Sequence, residues 1–249
     1  PFVGFHDLMV GLFSGSKVFI HASRRDLILT EWLANTLFSL EPALKERMHI
    51  VRRLPSDIEC LIATGSDNAS RFFSYNYPNT PKLIRSNRTS VAILSSKTSD
   101  DELAALAKDV FLYNGLGCRN VTHLCSLPDF DLSRLVAWED YPTDLLSSYY
   151  LAKFKREKAT LQWLGRPCKA FASAIITHSL DFSPPPMAMV RYIPVASETE
   201  LDGWLKRHQE RIQCVVGKDV KYGQSQSPNL YNFADDVDTM KFLRERTLL

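Results

Sequence analysis

The hydrophobic and polar positions of this chain alternate between two periods. Apolar side chains recur at helical spacing over residues 5–13, and Gly15 stops the run. The stretch 17–21, KVFIH, is short and β-rich. A longer amphipathic helix is predicted over 26–40, and two more short strands over 48–52 and 58–63. Thr64-Gly65-Ser66 then turns the chain into a helix through Phe72 and Tyr75, and strands are predicted again at 82–84 and 90–94. Ser99 with Glu102 three residues on is a capping box. It opens a helix whose buried face is Leu103, Leu106, Ala107 and Val110. That helix runs to Tyr113, Asn114-Gly115-Leu116-Gly117 breaks it, and Cys118 follows directly.

Beyond the break the pattern predicts helices over 132–138 and 142–163 and strands over 171–177 and 187–193, the strands parted by Ser183-Pro184-Pro185-Pro186. A helix over 198–209, capped by Ser197, and a strand over 212–216 complete the periodic part, and the tail from Gly223 is rich in turn residues. Strands alternating with helices predict an α/β fold with a βαβ-type sheet. There is no internal repeat and no low-complexity tract.

Composition narrows the function classes. The 249 residues suffice for one large domain or two modest ones, and 45% hydrophobic residues can bury a core. A net charge of +2, from 30 basic and 28 acidic residues, argues against a nucleic-acid binder. No apolar run reaches the roughly 20 residues of a membrane span. The five cysteines, at 60, 118, 125, 168 and 214, are odd in number and form no CxxC pair. They read as neither a disulfide framework nor a zinc site, and reduced thiols in a cytoplasmic setting fit best. The chain opens on Pro1 in what reads as the middle of a fold, so an N-terminal segment is expected to be missing.

Three features carry chemistry. Cys118 follows a helix in N-G-L-G-C, where the glycines permit close backbone approach to a substrate. A cysteine there can aim its own N–H at a developing oxyanion while its sulfur attacks, and Arg119 is placed to lower its pKa. The plainer reading is a small buried hydrophobe. Thr64-Gly65-Ser66 ends a strand and opens a helix, an arrangement that suits a pyrophosphate; taken alone, the plainer reading is an ordinary strand-to-helix turn with Ser66 or Asp67 as N-cap. The loop 223–228, GQSQSP, is rich in side-chain amides and either closes over a site or is solvated surface. Asp235, Asp236 and Asp238 lack complementary ligands for a metal, and the six histidines show no paired spacing. The G-x-S-x-G of a serine hydrolase is absent.

Taken in order, these pieces resemble the aldehyde dehydrogenase superfamily, and within it the acyl-CoA reductases related to the fatty-acid reductase of bacterial luminescence. PFVGFHDLMVGLFSGSKVFIHAS resembles the segment from the oxyanion region into the adenosine-binding strand, and IECLIATGS the strand and turn that meet the cofactor. IRSNRTSVAIL leads to the helix before the nucleophile, and DVFLYNGLGCRNV resembles the nucleophile segment. PPPMAMVRYIPV resembles the late catalytic strand, and YGQSQSPNLYNFADDVDTMKFL the C-terminal signature.

The resemblance implies a mechanism and a set of site residues. Cys118 attacks an acyl-CoA or acyl-protein thioester, and a nicotinamide hydride releases the aldehyde; Asn114 joins Cys118 in the catalytic segment. The cofactor is NADPH or NADH, held by His21, Ser23, Arg24, Thr64, Gly65 and Ser66. His21 replaces the superfamily's usual lysine, and Arg24 and Arg25 stand where an acidic residue commonly holds the ribose, which favours NADPH. Near Ile84-Arg85-Ser86-Asn87-Arg88 the hydrolytic glutamate of ordinary aldehyde dehydrogenases has no counterpart, so reduction is expected rather than hydrolysis. The late Glu-x-Phe-Gly-Pro glutamate is also absent. The competing readings are an aldehyde-oxidising dehydrogenase and a non-catalytic relative.

A partial Rossmann-like cofactor domain is expected over 1–87, a catalytic α/β domain over 88–217 and a C-terminal return segment over 218–249. Cys118 should face the turn at 64–66 across the nicotinamide. The resemblance places an oxyanion asparagine and the first cofactor-domain strands before Pro1. No metal, nucleic acid or membrane span is expected, and a homo-oligomer is compatible with the resemblance.

Overall fold

Two parallel ribbons form the frame of the first unit of the chain, which comprises Pro1–Asn87 and Asn232–Leu249. The structure, a computed structural model, describes residues 2–65, 67–85, 88–166, 168–179 and 182–247. Helix α1 (Phe5–Phe13) leads to strand β1 (Val18–Ile20). Helix α2 (Leu27–Leu40) and a 3-10 turn, Pro42–Glu46, cross over to β2 (Met48–Ile50), which lies parallel to β1. The second ribbon repeats the plan: β3 (Leu61–Thr64), helix α3 (Asp67–Asn76) and β4 (Lys82–Arg85), again parallel.

The apolar stripes of α1 and α2 close over the first ribbon. Leu8, Ala34 and Met48 are buried there, with Leu12, Val18, Ile20, Leu33 and Leu37 packed around them. Gly11 permits the close contact, since a Cβ at this position would come 3.0 Å from Val18 Cγ2. The C-terminal helix, Thr239–Thr247, belongs to this unit. Buried Arg85, at the end of β4, ties it in by donating to Thr239 Oγ1 at 2.7 Å and to Asp7 Oδ1 of α1 at 3.0 Å.

Each ribbon keeps an open edge. Among the described residues β1 pairs only with β2, and β3 only with β4. Val18 and Ile20 spend their backbone groups on the β2 side, and Leu61 and Gly65 on the β4 side. The alternation of parallel pairing turns the N–H and C=O groups of Phe19 and Ile62 to the other edge. Both strands line a cavity of about 1020 Å³.

The second unit, Arg88–Tyr231, is an α/β/α sandwich on one six-stranded sheet. Its elements in chain order are β5 (Thr89–Leu94), α4 (Asp100–Phe111), β6 (Val121–Ser126), α5 (Ser148–Trp163), β7 (Lys169–Phe171), β8 (Ala174–His178), β9 (Met189–Pro194), α6 (Glu198–His208) and β10 (Ile212–Val216). The strand order is β10-β5-β6-β9-β8-β7, parallel throughout except for the β7–β8 hairpin.

Neighbouring residues of β5 fall in different cores, as strand alternation requires. Ala92 packs with Leu103, Leu106, Phe111, Trp138 and Tyr150 on one face, whereas Val91 packs with Ile193, Leu201, Trp204 and Leu205 on the other. The tail from residue 218 is shared between the units, going with the second to Tyr231 and with the first from Asn232.

The α/β class and most elements match the sequence expectation, and four local features differ. Strand β6 has no counterpart in the sequence reading, although it is a central strand of the sheet. Its V-T-H-L-C-S composition is polar at half its positions, yet nearly all of it is buried because both faces are covered. The strand expected over 171–177 is a hairpin, turned at Ala172 and Ser173 with Ala172 at φ 48°, a turn without the usual glycine or asparagine. Residues 132–140 form a 3-10 rather than an α-helix, and 142–163 divides at Leu146 into a 3-10 turn and α5. The turn-rich tail holds the C-terminal helix, whose charged residues hide its short period.

Candidate active site

Cys118 sits in the turn that ends the β5–α4–β6 crossover. Helix α4 starts from the capping box read in the sequence: Ser99 Oγ accepts from Glu102 N, and Glu102 Oε2 accepts from Ser99 N. Its carboxyl end needs other partners, because the last carbonyls of a helix have none within it. Asn120 supplies them. Its fully buried side chain donates to the carbonyls of Asp109, Val110 and Leu112 at 2.9, 3.2 and 2.9 Å. Its Oδ1 accepts from Gly117 N at 2.8 Å, and its own N–H closes on Gly117 O at 3.0 Å. One asparagine thus staples both ends of the segment that carries Cys118.

Within that segment Tyr113, Asn114 and Gly115 are left-handed, at φ 57°, 58° and 66°. A run of left-handed residues is rare outside glycine, and the flanking bonds hold it. Asn114 Oδ1 accepts from Ser147 N at 2.8 Å, fastening the turn to the start of α5. Cys118 O accepts from Ser90 Oγ at 3.1 Å, so the turn is also fixed to β5. Gly117 has no room for a side chain: a Cβ would stand 3.0 Å from Asn120 Oδ1. Cys118 therefore lies at the amino end of the strands, opposite to the carboxyl-end location usual for ligands in open α/β sheets.

Cys118 is an exposed residue, alone among the five cysteines. Cys125 and Cys214 are buried, and Cys60 and Cys168 are partly covered. Burial pushes the Cys125 thiol up to about 12 and raises that of Cys214. The buried-hydrophobe reading of Cys118 is thereby excluded by its exposure.

Two residues that the sequence reading did not single out organise this turn, Asn120 and Asp109. Asp109 is fully buried on α4. Its Oδ2 accepts from Gly223 N at 2.6 Å, and its Oδ1 from Ser225 N and Ser225 Oγ at 2.9 and 2.8 Å. Burial raises its carboxyl, and the bonds from Ser225 and Gly223 oppose that rise. The amide-rich 223–226 turn is thus bound to α4, with Gly223 packed so closely on Ala105 that a Cβ would stand 3.0 Å from the Ala105 Cβ. Arg119 Nη1 donates to Ser225 O at 3.3 Å, and the Gln226 carboxamide lies over Gly117. The visible signal was a charged residue at i+3 from Leu106, on the flank of an apolar stripe.

In the first unit, the cavity of about 1020 Å³ draws together most of the residues expected at the cofactor. His21 and Ser23 line it after β1, and Thr64 and Gly65 line it at the end of β3. Gly65 N donates to Arg85 O, and a Cβ on Gly65 would come 2.8 Å from that of Ala69, so the strand-to-helix turn accepts glycine only. Ser23 Oγ accepts from Asp26 N at 3.3 Å at the start of α2, and His21 Nδ1 lies 3.4 Å from Val51 O. Arg24 is exposed and does not line the cavity. Ser66 lies outside the described residues. Among those residues no group of three or more His, Cys, Asp or Glu side chains is placed to hold a metal, and no helix is long and apolar enough to cross a membrane.

Comparison with known proteins identifies the fold. No protein-family model and no curated protein matches the chain. Solved structures do. A PutA protein of Anabaena variabilis, described as an aldehyde dehydrogenase, superposes on 97% of this chain and 66% of its own with a TM-score of 0.67 at 11% identity. Proline utilization A of Corynebacterium freiburgense covers 88% of this chain and 29% of its own, with a TM-score of 0.64 and 11% identity. Indole-3-acetaldehyde dehydrogenase, solved with NAD+, covers 68% and 48%, with a TM-score of 0.51 and 10% identity. The chain thus has the aldehyde dehydrogenase fold and spans between 24% and 66% of the solved chains it matches.

Proposed function

We propose that this chain carries the nucleophile and the cofactor segments of an NAD(P)H-dependent reductase that turns an acyl-CoA, or an acyl group on a carrier protein, into an aldehyde. The observation that supports it most is the exposed residue Cys118 beside a braced left-handed turn, in a chain with the aldehyde dehydrogenase fold.

The chemistry begins with the Cys118 thiolate adding to the thioester carbonyl. The C–S bond to the donor breaks, the donor leaves as its thiolate and takes a proton from solvent, and an acyl–Cys118 thioester remains. The backbone N–H of Cys118 is the proposed oxyanion donor. Asn114 sets the turn through its left-handed backbone and its bond to Ser147. When bound, the dihydronicotinamide supplies the hydride that converts the acyl–cysteine to aldehyde and restores the thiolate.

The first unit fits a dinucleotide in two respects. Gly65 sits at a strand-to-helix turn where the helix presents N–H groups to a phosphate. The cavity that this turn borders is at the upper end of ligand-pocket volumes, about 300–1,000 Å³. His21, Ser23, Thr64 and Gly65, with Ser66, are the proposed contacts, and Arg24 the proposed partner of a 2′-phosphate. Reduction rather than oxidation is favoured because Arg85, in the stretch that resembles the hydrolytic site, is a buried cation bound to Asp7 and Thr239.

The test is oxidation of NADPH, followed at its absorbance, with a fatty acyl-CoA as substrate. Turnover is expected for the wild type and a loss of at least about 1,000-fold for Cys118→Ala. NAD+ reduction by a free aldehyde without CoA, at a rate above that of thioester reduction, would point to the oxidising reading instead.

A further inference from the structure

Resting on the reading of Cys118 as nucleophile, the geometry points to Asp109 as a positioning residue for that cysteine, acting through the 223–226 turn and Arg119. Three links make the chain. Asp109 accepts from three donors of the turn, Gly223 N, Ser225 N and Ser225 Oγ. The turn then offers Ser225 O to the Arg119 guanidinium. Arg119 is bonded through the backbone to Cys118, and the residue after it, Asn120, holds Gly117 and the end of α4.

The choice of an aspartate has a physical reason. A buried carboxylate offers two acceptor oxygens, whereas an asparagine offers one and adds two donors. Three donors converge here, so only a carboxylate satisfies the turn without leaving an N–H against an N–H. Burying such a charge is costly, and a purely structural contact between α4 and a surface turn is more cheaply made by apolar groups. The return is fixed orientation: the turn is tied to a helix that is itself fixed in the core by Leu103, Leu106 and Phe111. The Tyr222 hydroxyl, which donates to Ile93 O at 2.5 Å, secures the approach to the turn from β5.

The experiment is a double-mutant cycle read by site-resolved iodoacetamide labelling and peptide mass spectrometry. Asp109→Asn and Arg119→Gln are each expected to slow labelling of Cys118 about 5- to 10-fold, and the double variant to be no slower than the slower single. Arg119→Lys is expected to recover part of the rate. Labelling of Cys168 is expected to stay constant and Cys125 to stay protected, which separates lost positioning from a loosened fold. Ser225→Ala removes a single bond and gives a smaller slowing, which keeps the test decisive where Asp109→Asn does not fold. Wild-type Cys118 reactivity in Asp109→Asn, or slowing factors that multiply in the double variant, would overturn the inference. None of these rates involves a thioester or NADPH, so a failure of the proposed reaction reads separately.

Discussion

At the scale of the residue, the turn that carries Cys118 depends on side chains other than the proposed nucleophile. Asn120 meets three helix carbonyls and one turn N–H from a fully buried position. Asn120→Ala leaves those groups without partners and is expected to cost roughly 2–4 kcal/mol, measured by urea unfolding, together with most of the selective labelling of Cys118. In the first unit, Gly65→Ala forces a Cβ to 2.8 Å from Ala69. It is expected to weaken NADPH binding at least about 10-fold by fluorescence titration while leaving Cys118 labelling unchanged. The turn that carries Cys118, the proposed nucleophile, was legible in the sequence because glycines and a helix break flank it. Its supports were not. A charge beside the apolar stripe of α4 marks Asp109, but its partners lie in the distant 223–226 turn, and Asn120 acts across its own turn, so no local pattern reveals their bonds.

At the scale of the element, capping and packing set the rigidity of the turn. Helix α4 leads into it, and its capping box joins Ser99 and Glu102. Ser99→Ala is expected to destabilise the second unit by about 1 kcal/mol in chemical denaturation. Strand β6 leads out of the turn and is buried on both faces, with Cys125 at 0% exposure. The Cys125 thiol has an ordinary value of 9.0 and is pushed up to about 12. A group whose folded pKa is raised contributes fully below its unfolded value and loses that contribution as pH rises toward the folded one. The urea midpoint of the second unit is therefore expected to fall above pH 9, and less steeply in Cys125→Ala. Elements with a clear period, such as α1, α4 and β10, could be read from the sequence. Strand β6 could not, because Thr122, His123, Cys125 and Ser126 leave its Val121 and Leu124 in neither an alternation nor an apolar run.

At the scale of the whole molecule, the two units are built unequally. The second has a six-stranded sheet with cores on both faces, whereas among the described residues the first has two separate ribbons and fewer buried apolar residues, Leu8, Ala34 and Met48 in one cluster and Leu61, Ala63 and Leu243 besides. Open strand edges and a small core mean low local stability. Hydrogen exchange is expected to be faster at β1 and β3 than at β5 and β6, and thermal unfolding to begin in the first unit; equal protection would contradict this. The α/β class followed from alternating periods, but the separation of the first unit's strands into two ribbons has no trace in local sequence, because which strands pair is decided by long-range contacts.

Covalent trapping reads whether Cys118 accepts an acyl group from a thioester. The protein is incubated with a fatty acyl-CoA in the absence of NADPH, and the peptides and released thiol are quantified. An acyl adduct confined to Cys118, with one CoA released per adduct, is the expected result. No adduct, or equal acylation of Cys60 and Cys168, would contradict it.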